Sequence, residues 1–182
     1  MSSPLSAFPW HEKVALITGG AGGMGIAISV LLRSLGSKIA IVDVSRAALE
    51  RMKEQFPDDQ NILFLNTDIT KPNNCEKAVI DTMATFGRLD LLINAAGLWI
   101  EGPTDTMTES DYDRIMNVNL KGAFFMIKYS IKHLETVKGQ IINIASDGIS
   151  TDFSHPLNIS SNFKFTLSWY QGRRKCVYLL RV

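Results

Sequence analysis

The sequence is poor in the features that would commit it to several common classes. It has two cysteines in 182 residues, Cys75 and Cys176. They stand in no metal-ligand or redox spacing, so no metal centre is read from them, and free thiols in a reducing cytoplasm are expected. No apolar run approaches the roughly 20 residues that span a bilayer, so no membrane partner is expected. A composition of 46% hydrophobic and 20% charged residues excludes a disordered chain. Neither sign of charge dominates. With 19 basic and 18 acidic residues the net charge is +1, too weak a field to steer nucleic acid, and no basic stripe with interleaved aromatics is present. The opening MSSPLSAFPWHEK lacks a basic start followed by a continuous apolar stretch. No export signal is read there, and residues 1–12 are expected to form a flexible arm.

What is present is an alternation of two periods. KVALITG (13–19), KIAIVDV (38–44), NILFLNTD (61–68), LDLLINAAG (89–97) and GQIINIAS (139–146) are short, β-branched apolar runs without polar alternation. They read as strands buried on both faces. Between them, GMGIAISVLLRSLG, SRAALERMKEQF, NNCEKAVIDTMATFG and ESDYDRIMNVNLKGAFFMIKYSIKHLETV place apolar residues at helical spacing between Ser, Asn and Gly punctuation. This order implies an α/β fold, a doubly wound parallel sheet with right-handed crossovers. A chain of this length fits one domain, with 13–150 as its dinucleotide-binding body and 151–182 as a divergent C-terminal segment of the same domain.

The first crossover carries TGGAGGMG, residues 18–25. Its glycines Gly19, Gly23 and Gly25 allow a tight turn and close approach of a pyrophosphate, whose charge is met by the free N–H groups of the following helix. The strand before, the helix after and an acid at the end of the next strand support dinucleotide binding over a merely glycine-rich turn. That acid is Asp43, 43 − 25 = 18 residues after the last glycine. A carboxylate there accepts both hydrogen bonds of an adenosine ribose diol and repels a 2′-phosphate, which favours NAD over NADP. Arg46 is the residue that argues the other way.

TGGAGGMG, NTD (66–68), NAAG (94–97), NVNLKGAFF (117–125) and IINIAS (141–146) occur in an order and spacing that resembles the short-chain dehydrogenase/reductase family, from residue 13 to about 150. The resemblance implies a Rossmann fold serving cofactor and substrate together. It places Thr18, Gly19, Gly23, Met24 and Gly25 around the pyrophosphate, Asp68 and Ile69 at the adenine, and Asn94, Ala95, Ala96 and Gly97 along the cofactor cleft. It also implies that Asn119 interrupts the long helix and holds a proton-relay water, and that Ser146 hydrogen-bonds the substrate carbonyl or alcohol. Taken without the resemblance, Asn119 reads as a polar residue satisfied by nearby backbone, and Ser146 as a strand-end cap.

The family's chemistry requires a Tyr-x-x-x-Lys pair shortly after the serine, and the sequence departs from the pattern there. Residues 157–160 are Leu157, Asn158, Ile159 and Ser160. Lys164 follows Ser160 at the right interval, but a serine hydroxyl is a weaker acid than a phenol and too short to reach the same point. Tyr170, with Arg174 one turn on, lies 170 − 146 = 24 residues past Ser146, deep in the expected helix. The character of the chain changes at the same place. Residues 1–150 hold 14 basic and 17 acidic residues, a net −3, and 151–182 hold five basic and one acidic, a net +4.

Five strands are recognisable, and the family's sixth and seventh are expected to be absent, which would leave GQIINIAS as an open sheet edge prone to self-association. The expected function is an NAD(H)-dependent oxidoreductase of a small alcohol or carbonyl, impaired by loss of its proton donor. The alternatives are a non-catalytic nucleotide-binding module that associates through the helix carrying Ile115, Phe124, Ile127 and Ile131, and a truncated or frameshifted product.

Overall fold

The computed structural model describes residues 10–145, and the backbone of 177–181. The element order is β1 (Val14–Thr18), α1 (Gly23–Ser34), β2 (Lys38–Asp43), α2 (Arg46–Lys53), β3 (Ile62–Asn66), α3 (Pro72–Phe86), β4 (Leu91–Asn94), α4 (Glu109–Met116), a π-helical segment (Asn117–Gly122), α5 (Ala123–Val137), β5 (Gln140–Ala145) and β6 (Val177–Arg181). The strands pair in the order β3-β2-β1-β4-β5-β6, all parallel. This is the doubly wound α/β sheet that the apolar runs imply.

Both faces of the sheet are covered, so its central strands have no polar alternation. Val14, Leu16, Ala40, Val42 and Leu92 pack with Cys75, Ala78 and Val79 of α3 and Met126 and Leu134 of α5. Ala15, Ile17, Ile39, Ile41 and Ile93 point the other way, onto Leu32 of α1 and Leu49 and Met52 of α2. Local chemistry sets the helix ends. The Ser45 hydroxyl accepts from the Ala48 N–H at the start of α2. Thr108 and Asp111 form a reciprocal capping box on α4, and Pro72 opens α3, where its missing N–H costs no bond.

Three features differ from the sequence-based expectations. The first is β5, which is not an edge. Val177–Arg181 runs beside it in register from Ile141↔Val177 to Ala145↔Arg181. VYLLR is itself an apolar strand-forming run, and its backbone meets the outer N–H and C=O groups of β5, so the expected absence of a sixth strand and the association route through β5 are both corrected. The second is the N-terminal arm. Its last residues are held on the domain: the Ser37 hydroxyl donates to the Trp10 carbonyl at 2.7 Å, the Glu12 N–H to the Gly36 carbonyl at 3.0 Å, and Trp10 packs against the core. The third is the long helix, whose apolar residues mostly face inward. Ile115 is buried, and Ile127 and Ile131 pack against the core. Of the four residues considered for association, Phe124 alone is largely exposed, at 58%.

The end of the sheet opposite the loops of the glycine motif is tied together by Asp90. Its carboxylate accepts from the Val14 N–H at 3.0 Å and from Arg88 at 2.6 and 2.8 Å, and Lys13 stands 3.3 Å away.

Candidate functional site

The carboxyl ends of β1 to β4 open onto a cleft of about 660 Å³, at the point where the winding of the sheet reverses between β1 and β4. Such a reversal leaves a crevice, because the two flanking crossovers run to opposite faces.

The glycines of the first crossover differ in what makes them necessary. The chain leaves β1 through Gly19, whose φ is 63°, and a Cβ there would stand 2.7 Å from the Ala96 Cα. Only glycine permits that left-handed turn so close to the exit of β4. A Cβ on Gly25 would run into the Gly19 carbonyl and the Gly20 backbone. Gly23 is another matter. It begins α1 and lines the cleft, and beyond its own stretch of helix no protein atom lies within 4 Å of where its Cβ would be. The fold does not require glycine there, whereas a group lying against the helix end from the cleft would. No side chain caps α1, unlike Ser45 on α2 and Thr108 on α4, so its first-turn N–H groups are left for an anion. Residues and space both fit a dinucleotide pyrophosphate.

Asp43, at the last position of β2, lines the same cleft. Its Oδ2 accepts from the Ala21 N–H at 3.1 Å and its Oδ1 from the Ser45 N–H at 2.9 Å. An ionised carboxylate has about four acceptor positions, so capacity for a diol remains. Beyond the end of the neighbouring β3, Asp68 Oδ1 accepts from the Thr70 N–H and hydroxyl at 2.9 and 2.6 Å. Ile69 also lines the cleft, and its carbonyl accepts from the buried Cys75 thiol at 3.2 Å. Burial, and then the charge of Asp68, push that thiol up to about 11, so it remains a proton-bearing donor.

Of the residues singled out from sequence, Gly19, Gly23, Met24, Gly25, Asp43, Asp68, Ile69, Ala95, Ala96 and Gly97 all line this cleft. Three others lie behind its wall. The Thr18 hydroxyl accepts from the Ala96 N–H at 3.2 Å. Asn94 Nδ2 donates to Asn143 Oδ1 at 2.8 Å, joining β4 and β5 through two buried amides. Asn119 accepts from the Leu98 N–H at 2.7 Å and donates to the Leu98 carbonyl at 2.9 Å. Its amide is therefore occupied in holding the loop after β4, while its place within the π-helical segment agrees with an interruption of the long helix. Ser146 lies outside the described residues, as do residues 157–160, Lys164 and Tyr170.

Sequence reasoning missed Val44, Thr70, Leu98, Arg114, Asn117 and Val118, which also line the cleft. Arg114, Asn117 and Val118 lie three and four residues apart, one face of a turn. Asn117 and Val118 are the first two residues of NVN and Arg114 stands three residues before it, and that motif was the only available signal. Among the described residues no group of three or more His, Cys, Asp or Glu side chains could hold a metal ion, and no helix is long and apolar enough to cross a membrane.

A family model described as short chain dehydrogenase matches residues 13–155. Levodione reductase of Leifsonia aquatica is 37% identical over 155 residues, covering 81% of this chain and 56% of the relative. A 3-ketoacyl-(acyl-carrier-protein) reductase from Brucella melitensis, solved with NADH, is similar in structure with a TM-score of 0.70 at 30% identity, over 76% of this chain and 59% of that one. A short chain dehydrogenase/reductase from Burkholderia phymatum, solved with NAD, gives a TM-score of 0.72 at 26% identity, over 76% of this chain and 50% of that one. The chain spans about half the length of the curated relatives it matches.

Proposed function

Because the chain belongs to the short chain dehydrogenase family, we propose that its cleft takes a nicotinamide dinucleotide, NAD(H) in preference to NADP(H), and that hydride transfer to or from a small alcohol or carbonyl is strongly impaired in it. The observation that carries the cofactor choice is the Asp43 carboxylate at the tip of β2, inside the cleft and held by two backbone N–H groups. It accepts both hydrogens of a ribose diol and repels a 2′-phosphate. Gly23 and the uncapped start of α1 receive the pyrophosphate, and Asp68 and Ile69 bound the adenine end.

When bound, the nicotinamide supplies the hydride or accepts it. The chain must then move a proton, and there its sequence departs from the family. By its resemblance to the family's serine, Ser146 is assigned the hydrogen bond to a carbonyl or alcohol oxygen, but residues 157–160 contain no phenol. Ser160, with Lys164 four residues on, is a poor substitute, since a phenol titrates near 10 and an alkanol far higher. Loss of a positioned acid/base removes about 10²- to 10⁴-fold in rate. The same absence favours a second reading, a nucleotide-binding module without turnover.

Thermal shifts with NADH and NADPH at equal concentration test the first half, since a ligand selective for the folded state raises its stability. A larger shift with NADPH would overturn the assignment of Asp43. Absorbance of the reduced nicotinamide over a panel of secondary alcohols and ketones tests the second half. Turnover at ordinary enzyme rates, abolished by Tyr170→Phe, would overturn the impairment. Self-association belongs to the same reading: with β5 covered, the exposed Phe124 is the apolar contact that remains of those considered, and sedimentation of wild type against Phe124→Ser checks it. A reducing cytoplasm as the compartment suits the free thiol of Cys75.

A further inference from the structure

Asn66 ends β3 on the protein surface, and it does not line the cleft. Its side-chain amide nitrogen donates twice, to the Asp43 carbonyl at 3.1 Å and to the Val44 carbonyl at 2.9 Å. Both partners are acceptors, so the nitrogen and not the oxygen of the amide must face them. The Asp43 carbonyl has a second donor in the Thr67 N–H, at 2.9 Å. The Val44 carbonyl is one end of a planar peptide unit whose other end is the Ser45 N–H. That N–H donates to Asp43 Oδ1 at 2.9 Å. Fixing the carbonyl end of the plane therefore fixes the direction of the N–H that holds the carboxylate. On the far side Ser45 is tied to α2 through the Ala48 and Leu49 N–H groups, whereas the Val44 side chain, 70% exposed, adds little restraint.

We infer that Asn66 is a positioning residue for cofactor selection: it clamps the peptide between Val44 and Ser45, and through that peptide's N–H it aims the Asp43 carboxylate at the adenosine ribose. The inference rests on the proposed NAD(H) reading of Asp43. It adds a residue remote from the cofactor to the determinants of selectivity. Without the clamp, the carbonyl end of the peptide plane loses its tie to β3, and the Ala21 N–H becomes the better-fixed anchor of the carboxylate. Asn66→Asp is the sharper variant, because it keeps the size of the side chain and sets a carboxylate against two carbonyls.

The test is titration of the full 182-residue chain with NADH and with NADPH, for wild type, Asn66→Ala, Asn66→Asp, Asp43→Ala and the Asn66→Ala/Asp43→Ala pair. Melting without ligand monitors folding, which substitution of an exposed residue should leave intact. Asn66→Ala is expected to weaken NADH binding about three- to tenfold, the scale of one or two hydrogen bonds, and Asn66→Asp to weaken it at least as much. NADPH affinity should stay within about twofold, and in the Asp43→Ala background the Asn66 substitution should change NADH affinity by less than about twofold. Equal losses for both cofactors, an equal loss in both backgrounds, or no loss at all would overturn the inference. Asp43→Ala alone reports on the cofactor reading: an unchanged NADH preference there overturns that reading, whatever Asn66 does.

Discussion

Alanine at Gly19 and alanine at Gly23 should have opposite effects, although the two positions lie in one loop. At Gly19 the new side chain meets two penalties. A φ of 63° costs an L-residue about 1–2 kcal/mol. The Cβ then stands 2.7 Å from the Ala96 Cα and 2.8 Å from its nitrogen, backbone atoms that no rotamer change can move, and overpacking of this kind costs about 1–3 kcal/mol. The sum is about 2–5 kcal/mol. For a domain of this size that lowers Tm by roughly 5–20 °C.

At Gly23 the backbone is helical and, beyond its own stretch of helix, no protein atom lies within 4 Å of the added carbon. Replacing glycine there should stabilise the fold by about 0.4–1 kcal/mol, because the unfolded chain loses freedom. The methyl instead occupies the space in front of α1 where the pyrophosphate is proposed to lie. If overpacking there costs about 1–3 kcal/mol, NADH binding weakens roughly five- to 150-fold. Circular dichroism melts without ligand, and NADH titration well below both transitions, measure the two effects separately. A Gly23→Ala protein that binds NADH like wild type would refute the placement of the cofactor, and one that melts as early as Gly19→Ala would refute the account of why glycine stands there.

Other consequences concern the supports of the site. Burial raises the Asp90 carboxyl, but the Arg88 hydrogen bonds, the Val14 N–H and Lys13 together hold it below its ordinary value. A carboxylate lowered in the folded state stabilises fully above the unfolded value of about 3.9, and that contribution is lost as pH falls through the lower folded value. Urea denaturation should therefore show stability falling as pH drops below about 4, with Asp90→Asn less stable at pH 7 but losing less on acidification; parallel acid limbs would contradict this. The Cys75 thiol, raised to about 11 and buried, should resist iodoacetamide at pH 8 in the native protein and react once urea unfolds it, and rapid native labelling in a peptide map would argue against its place behind Ile69. Asn119→Leu leaves the Leu98 N–H and carbonyl without their partners, at a cost of about 1–3 kcal/mol, and hydrogen exchange at Leu98 should speed up; unchanged exchange would mean that the clasp does not hold the loop.

The parts of this protein that could be read in its sequence are those governed by neighbours along the chain. Continuous apolar runs and period-3.6 patterns report burial of one segment at a time, so β1 to β5 and the helices between them were legible to within about three residues. Gly19, Gly23, Gly25 and Asp43 were legible for the same reason, since a turn, a helix start and a strand tip are local events. Periodicity alone cannot show the wider turn taken at Asn117–Gly122, and only the family resemblance at Asn119 pointed to an interruption there. Other features depended on which segments the crossovers bring together. The clasp of Asn119 on Leu98 spans 21 residues, the Asn94–Asn143 pair 49 and the Asp90–Val14 bond 76. Asn66 reaches back 22 and 23 residues to the turn it clamps, and the pairing of β6 with β5 is of the same kind. Such contacts follow from strand order and register, and these are set by burial summed over the whole sheet, so no single stretch of the sequence contains them.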